Sequence, residues 1–174
     1  MRTTWRASPT MPHCRFQPLG SALPQASGCP TWWQRFALRA PLASVLVVDA
    51  AVVITACLSE AGLKALGREK LVAPHLMWSE ASSVLHELHW RKEISGELAN
   101  IALERLTAAE VSPRRPKGLI EEAWRIADRL GWAKTYDAEY LALARLLRCR
   151  LLTTDAKLKA GGSAVVGVIG PAEL

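Results

Sequence analysis

The sequence has few cysteines and no pattern among them. Four cysteines are spread over 174 residues, without a CxxC pair and without a spacing typical of a zinc site. This argues against a structural zinc ion and against the disulfide framework of small secreted domains. We expect Cys57 and Cys149, which have apolar neighbours, to be buried reduced thiols of a cytoplasmic protein rather than disulfide partners.

A long uncharged apolar segment is also missing. The best candidate, residues 40–58, carries Asp49 at its centre. A carboxylate at that position costs about 3 kcal/mol on membrane-insertion scales. The sequence therefore predicts neither a secretory signal nor a membrane-spanning helix.

Acidic residues are absent from residues 1–44, which hold five arginines. The whole chain has 22 Lys and Arg against 16 Asp and Glu, a net charge of +6. Residues 45–174 therefore hold 17 basic and 16 acidic residues and are nearly neutral. Basic charge favours a nucleic-acid partner because it neutralises phosphates, but here the total charge does not assign that partner to the main part of the chain.

The N-terminal segment also differs from the rest in its prolines. Six of the ten prolines fall within residues 1–44, where they remove amide donors from any helix or strand. We predict an irregular or disordered Pro/Arg-rich extension over residues 1–43 and a folded domain over residues 44–174. The extension could be a targeting peptide, or it could be non-native, with the functional start near Ser44 or Val45. Mass spectrometry of the N-terminus of the natural protein separates these alternatives.

From residue 45 onward, short apolar runs alternate with segments of helical periodicity. The runs predict strands over 45–48, 71–73, 150–153 and 165–169. The periodic segments predict helices over 51–58, 75–90, 95–109, 119–130 and 137–148, with a basic loop over 112–116. Because strands that alternate with helices form parallel crossovers, we predict an α/β fold in three layers, a central parallel sheet with helices on both faces.

The helix over 119–130 also carries a predicted buried face. Its apolar residues at helical spacing are Ile120, Ala123, Trp124 and Ala127. We expect this face to pack in the core, with Trp124 either in the core or at a subunit interface.

Aspartate is rare, with four in the chain, and three of them stand where a strand ends or a helix begins. These are Asp49, Asp137 and Asp155; Asp128 lies among polar neighbours on a helix. The carboxyl ends of strands form the ligand crevice of an open parallel sheet, which places Asp49 and Asp155 there. Taken singly, each of the three could instead be a helix cap.

Glu80 lies inside the apolar stripe of its helix, between Met77 and Val84. We expect its carboxylate to be buried, and burial of an unpaired charge is costly, so Glu80 needs a partner. Several carboxylates in one crevice repel one another unless a cation lies between them. Oxygen ligands without His or Cys favour Mg²⁺ or Mn²⁺, ions that can activate water and stabilise a phosphoryl transition state.

Four segments together resemble the PIN domain and, more narrowly, the VapC-type toxins of bacterial and archaeal toxin–antitoxin pairs. The resemblance runs from about Val45 to the C-terminus. The four segments are Val47–Ile54, Ser79–Leu85, Tyr136–Ala144 and Leu151–Leu158. The last two segments are the most specific for the family.

This resemblance implies a ribonuclease that uses Mg²⁺ or Mn²⁺. By this resemblance, the catalytic, metal-binding acids would be Asp49, Glu80, Asp137 and Asp155. Thr153 would match a hydroxyl residue that orients the cluster in the family. The family usually carries Thr or Ser directly after the first aspartate, where this chain has Ala50 and Ala51. The resemblance also implies an RNA substrate, a small antitoxin protein that blocks the crevice, and a homodimer.

Basic residues near the predicted crevice are candidates for contacts with the RNA backbone. Each could equally belong to an ordinary solvated face. The candidates are Arg114, Arg115, Lys117, Arg148 and Lys157. A second hypothesis for the whole protein is a PIN-fold module that binds RNA or protein without cleaving, since Ala50 and Ala51 remove a hydroxyl beside the first acid.

Overall fold

A computed structural model describes residues 45–66 and 69–174 of the chain. The predicted extension over residues 1–43 lies outside the described residues. None of the described helices has the length and the hydropathy that a membrane crossing requires.

Within the described residues, five short strands form one parallel sheet. The spatial order is β3-β2-β1-β4-β5, so the first strand of the domain lies at the centre. Its Leu46, Val47 and Val48 are buried, as expected for an apolar run in a sheet covered on both faces. The strands are β1 Val45–Val48, β2 Lys70–Ala73, β3 Ser112–Pro113, β4 Arg150–Leu152 and β5 Val168–Ile169.

Six helices in the described part of the chain cover the sheet, and the strand order divides them into two groups. The connections β1-β2 and β2-β3 run across the sheet in one direction, whereas β3-β4 and β4-β5 run in the other. Because such crossovers are right-handed, the two directions place their helices on opposite faces. The helices are α1 Ala50–Leu58, α2 Leu76–Trp90, α3 Gly96–Thr107, α4 Leu119–Leu130, α5 Tyr136–Leu147 and α6 Ala156–Gly162.

The packing of the helices agrees with this division. Helices α1, α2 and α3 contact one another, whereas α4 packs on α5, which in turn contacts β1 and β4. The α/β fold in three layers with a parallel sheet is therefore confirmed. Two short 3₁₀ turns, Gly62–Leu66 and Pro171–Glu173, complete the described elements.

Local sequence signals place several helix boundaries. The hydroxyl of Ser95 accepts a hydrogen bond from the Leu98 amide at 3.1 Å, which caps the start of α3. Gly131, with a φ of 67°, ends α4 in the left-handed conformation that glycine adopts without strain. The thiol of Cys57 is buried and that of Cys149 is half-buried, and neither forms a disulfide within the described residues.

Three sequence-based predictions were wrong in detail. Residues 112 and 113 of the predicted basic loop form the edge strand β3, because their backbone pairs with β2. The last strand begins at Val168 rather than at residue 165, since the turn after α6 takes up the preceding residues. In α4 the buried face is rotated: Leu119 and Ile126 are buried, whereas Ile120 and Trp124 are 50% and 62% exposed.

Candidate active site

The strand order reverses direction between β1 and β4, and the two strands end side by side there. Asp49 directly follows β1, and Thr153 and Asp155 follow β4. The Asp49 amide donates to the Leu152 carbonyl at 3.0 Å, which extends the pairing of the strands to their carboxyl ends. In open α/β sheets this switch point opens a crevice where ligands bind.

Thr153 connects the acids that follow the two strands. Its hydroxyl donates to Oδ2 of Asp49 at 2.7 Å and accepts from the Asp155 amide at 2.9 Å. Asp49 is 5% exposed and Thr153 is 1% exposed, so the hydroxyl supplies a hydrogen bond that water cannot reach. Asp155 is more exposed and caps α6, because its Oδ1 accepts from the Leu158 amide at 2.8 Å.

Glu80 lies on α2, one of the helices α1 to α3 on one face of the sheet, and its side chain reaches the site from that face. The sequence predicted a buried carboxylate with a partner; Glu80 is only half-buried, and its partner is the phenol of Tyr140. The Tyr140 hydroxyl donates to Oε2 of Glu80 at 2.8 Å. Tyr140 itself lies on α5 and is 1% exposed.

Burial and the charges of neighbouring carboxylates raise the pKa values of two acids at the site, Asp49 and Glu80. Burial raises the pKa of Asp49 most, the charge of Asp155 raises it further, and the Thr153 hydroxyl partly offsets the rise. Burial also raises the pKa of Glu80, and the charges of Asp49 and Asp137 add to that rise. The four acids thus act on one another electrostatically, as expected for groups around one crevice.

Asp137 lies in the first turn of α5, at the more exposed side of the site. Its Oδ2 lies 4.0 Å from Nζ of Lys157 on α6. The same ammonium group lies 5.7 Å from the centre of the Trp132 ring, within the range of a cation–π contact. Lys157 therefore places positive charge at the edge of the acidic cluster.

The cluster has the donor chemistry for a divalent cation but is not closed around one point. Within residues 45–66 and 69–174, no three His, Cys, Asp or Glu side chains are close enough together to hold a metal ion. The oxygen donors of Asp49, Glu80, Asp137 and Asp155 nevertheless fit a hard ion such as Mg²⁺ or Mn²⁺. A cation between them would also relieve the mutual repulsion that raises two of their pKa values.

Basic residues lie both at the edge of the sheet formed by the carboxyl ends of its strands (the carboxyl edge) and at the edge formed by their amino ends (the amino edge). Arg114, Arg115 and Lys117 follow β3 at the carboxyl edge, where the acids also lie. Arg115 and Lys117 line a pocket of about 260 Å³ at the start of α4. Arg148, in contrast, precedes β4 and lies at the amino edge, away from Thr153 and Asp155.

Tyr140 lies at the site although the sequence does not predict it there. Its spacing on α5 predicts a core residue, and it is indeed buried. The signal for a further role was the hydroxyl, since a buried phenol needs a hydrogen-bond partner. Only the packing of α5 next to the site identifies that partner as Glu80.

Comparison with protein families matches residues 46–162 to the PIN domain. The match begins within β1 and ends with α6, so it includes all four acids and Thr153.

Individual relatives agree with this match. VapC ribonuclease Mb0985 of Mycobacterium bovis is 35% identical over 121 residues, which cover 69% of this chain and 93% of that protein. Ribonuclease VapC1 of Mycobacterium tuberculosis is 36% identical over 121 residues, which cover 66% of this chain and 88% of that protein.

Solved structures show the same fold. PAE2754 from Pyrobaculum aerophilum aligns with a TM-score of 0.61 and 25% identity, over 76% of this chain and 94% of its own. FitAcB from Neisseria gonorrhoeae aligns with a TM-score of 0.51 and 19% identity, over 74% of this chain and 99% of its own.

Proposed function

The chain belongs to the PIN domain family, and from this premise we propose that it is a metal-dependent endoribonuclease, the toxin of a toxin–antitoxin pair. The relatives named VapC ribonucleases support cleavage of RNA. The observation that carries the proposal for this chain is the meeting of Asp49, Asp155 and Thr153 at the switch point of the sheet. Glu80 and Asp137 join them through their charges.

The proposed cofactor is Mg²⁺ or Mn²⁺, held by Asp49, Glu80, Asp137 and Asp155. Such an ion supplies an activated water and neutralises charge on the scissile phosphate. The chain's own contribution is to hold the acids in place. Thr153 orients Asp49 through its hydroxyl, and the turn after β4 fixes Asp155 through its amide and through the cap of α6.

The first test of this function is cleavage of RNA by the purified full chain with Mg²⁺, with Mn²⁺, or with EDTA. We expect cleavage with either ion and none with EDTA. Without a bound cation, the negatively charged carboxylates cannot neutralise the charge of the scissile phosphate. Restoration of cleavage when Mg²⁺ is added after EDTA is the matched control. Equal cleavage with and without EDTA would contradict a metal-dependent mechanism.

The basic residues at the carboxyl edge are proposed to hold the RNA backbone. Arg114, Arg115, Lys117 and Lys157 lie at the same edge as the acids. Arg148 was a candidate on sequence grounds, but its place at the amino edge makes it the weakest of the set. Lys157 is the nearest to the acids, since it lies beside Asp137.

Removal of a side chain that neutralises a phosphate has a measurable salt signature. We expect the double variant Arg114→Ala/Arg115→Ala to have a less steep fall of log affinity with log salt. The magnitude of the slope should decrease by about 0.7 for each phosphate of single-stranded RNA that is no longer neutralised. Arg148→Ala is the matched control and should leave the slope unchanged. Fluorescence anisotropy with labelled RNA on an Asp49→Asn background, between about 50 and 200 mM salt, measures this without cleavage. If Arg148→Ala changed the salt slope more than the double variant does, the RNA would bind at the amino edge of the sheet instead.

The proposed protein partners are a small antitoxin and a second copy of this chain. The VapC relatives support the antitoxin. The exposed pair Ile120 and Trp124, one turn apart on α4, is an apolar surface suited to a partner protein and supports association. Sedimentation of the free chain tests the homodimer. The cytoplasmic location stays a prediction.

A non-catalytic module that binds RNA or protein is the second candidate. Ala50 and Ala51 in place of a hydroxyl residue favour it, as does the open arrangement of the described carboxylates. Calorimetry with Mg²⁺ distinguishes the candidates, because a module without a working site would show no specific uptake of the ion.

A further inference from the structure

Tyr140 is a buried phenol whose hydroxyl points at the acidic cluster. Its ring lies on α5 and is 1% exposed, while the hydroxyl donates to Oε2 of Glu80 at 2.8 Å. A phenol is protonated at neutral pH, because its ordinary pKa is about 10, so the hydroxyl acts as a hydrogen-bond donor.

The hydrogen bond from Tyr140 fixes the side chain of Glu80. Glu80 lies half-buried on α2, and the bond crosses to it from the other helix group. A glutamate side chain that is free to rotate loses conformational entropy when it is ordered, which costs free energy. A donor that orders it before a cation binds removes much of that cost from the binding step.

Two buried hydroxyls thus serve two acids. Thr153 holds Asp49 from the side of β4, and Tyr140 holds Glu80 from α5. Ala50 and Ala51, the residues directly after Asp49, have no hydroxyl to offer. The backbone amides of Ala50 and Ala51 also hydrogen-bond Asp49. Among the side chains that the structure describes, the hydrogen bonds that orient these two acids come from Thr153 and Tyr140.

We propose that Tyr140 is a positioning residue, whose hydroxyl holds the carboxylate of Glu80 in the orientation that binds a divalent cation. This inference rests on the proposed metal-dependent function. The packing of the ring alone does not require the hydroxyl, because phenylalanine fills nearly the same volume. The hydroxyl donates its hydrogen bond to Glu80, so any effect of the hydroxyl on metal binding should depend on Glu80.

The test compares the two tyrosines of the chain. Tyr140→Phe is expected to weaken Mn²⁺ binding about tenfold, as is typical when a residue that orients a metal ligand is removed. The kcat for RNA should fall while KM for RNA stays unchanged. Tyr136→Phe is the matched control, because Tyr136 carries the same phenol and is 61% exposed. Calorimetry with Mn²⁺ on the full chain gives the affinity, and thermal unfolding confirms that each variant is folded at the assay temperature.

A double variant shows whether Tyr140 acts through Glu80. Glu80→Gln should weaken Mn²⁺ binding strongly, and adding Tyr140→Phe to it should weaken binding no further. An equal tenfold loss on both backgrounds would overturn positioning through Glu80.

The remaining outcomes separate this inference from the proposed function. If Tyr140→Phe binds Mn²⁺ like the unaltered chain while Glu80→Gln does not, Tyr140 has no positioning role and the metal site stands. If Glu80→Gln keeps full affinity and full cleavage, Glu80 is not a ligand and the positioning role fails with it. If the unaltered chain binds no Mn²⁺, both proposals are overturned.

Discussion

Asp49→Asn and Asp155→Asn are each expected to lower metal-dependent RNA cleavage by more than about 100-fold. Residues that only orient metal ligands cost about 10- to 100-fold when they are removed, so loss of a ligand charge should exceed that range. Both changes keep the hydrogen bonds from the Thr153 hydroxyl and from the Leu158 amide. Asparagine at 49 can still accept from Thr153, and asparagine at 155 is as good a helix cap as aspartate.

The stability of the two variants provides the control. Because burial raises the pKa of Asp49, its ionised carboxylate costs the folded state free energy at neutral pH. Asp49→Asn should therefore unfold at a higher temperature than the unaltered chain when EDTA is present. The gain should be full at pH 7 and should vanish as the pH falls below the ordinary value of 3.8, where the unaltered carboxyl is protonated in both states. Asp155→Asn should raise stability less than Asp49→Asn, because the charge of Asp155 contributes less than burial to the raised pKa of Asp49.

Gel assays of RNA cleavage and thermal unfolding from pH 3 to pH 7 measure these effects. A folded Asp49→Asn variant that still cleaves at the full rate would remove Asp49 from the catalytic site. Loss of cleavage together with loss of folded structure would instead mean that the carboxylate is structural.

Thr153→Val is expected to lower both activity and stability, in contrast to Asp49→Asn. Valine keeps the shape of threonine but leaves Oδ2 of Asp49 without its donor and the Asp155 amide without its acceptor. Leaving buried polar groups unsatisfied costs about 1–3 kcal/mol of the free energy of unfolding. Cleavage should fall about 10- to 100-fold, because the orientation of two acids is lost at once.

Thr153→Ser is the matched control, since it keeps the hydroxyl and removes a methyl group. It should recover most of the cleavage while losing some packing. Denaturant unfolding gives the stability, and kcat/KM for one RNA gives the activity. Equal activity of the valine and serine variants would show that the hydroxyl has no functional role.

The sequence was informative wherever local chemistry decides the structure. The apolar run of β1 predicted a covered central strand, and its end placed Asp49 at the carboxyl edge. The apolar run of β4 likewise predicts that Asp155 follows the end of a strand. These predictions hold because the periodicity of apolar residues and the position of a strand end are properties of neighbouring residues.

The features that sequence reasoning missed depend on packing between distant elements. The short strand β3 forms because residues 112 and 113 lie next to β2, and nothing in their sequence requires it. The buried face of α4 is set by its contact with α5, which leaves Trp124 outside. The partner of Glu80 is 60 residues away along the chain, on another helix.

The hydrogen bond between Thr153 and Asp49 joins residues 104 positions apart along the chain. Closing so long a loop costs more entropy than forming a local contact, and this bond cannot form before residue 153 has been synthesised. During synthesis, a nascent chain that ends before β4 contains Asp49 and Glu80 but lacks Thr153 and Asp155. The order of the strands thus delays assembly of the acids until nearly the whole domain has left the ribosome. A chain that cleaves RNA would therefore be made in an inactive form beside the RNA that encodes it.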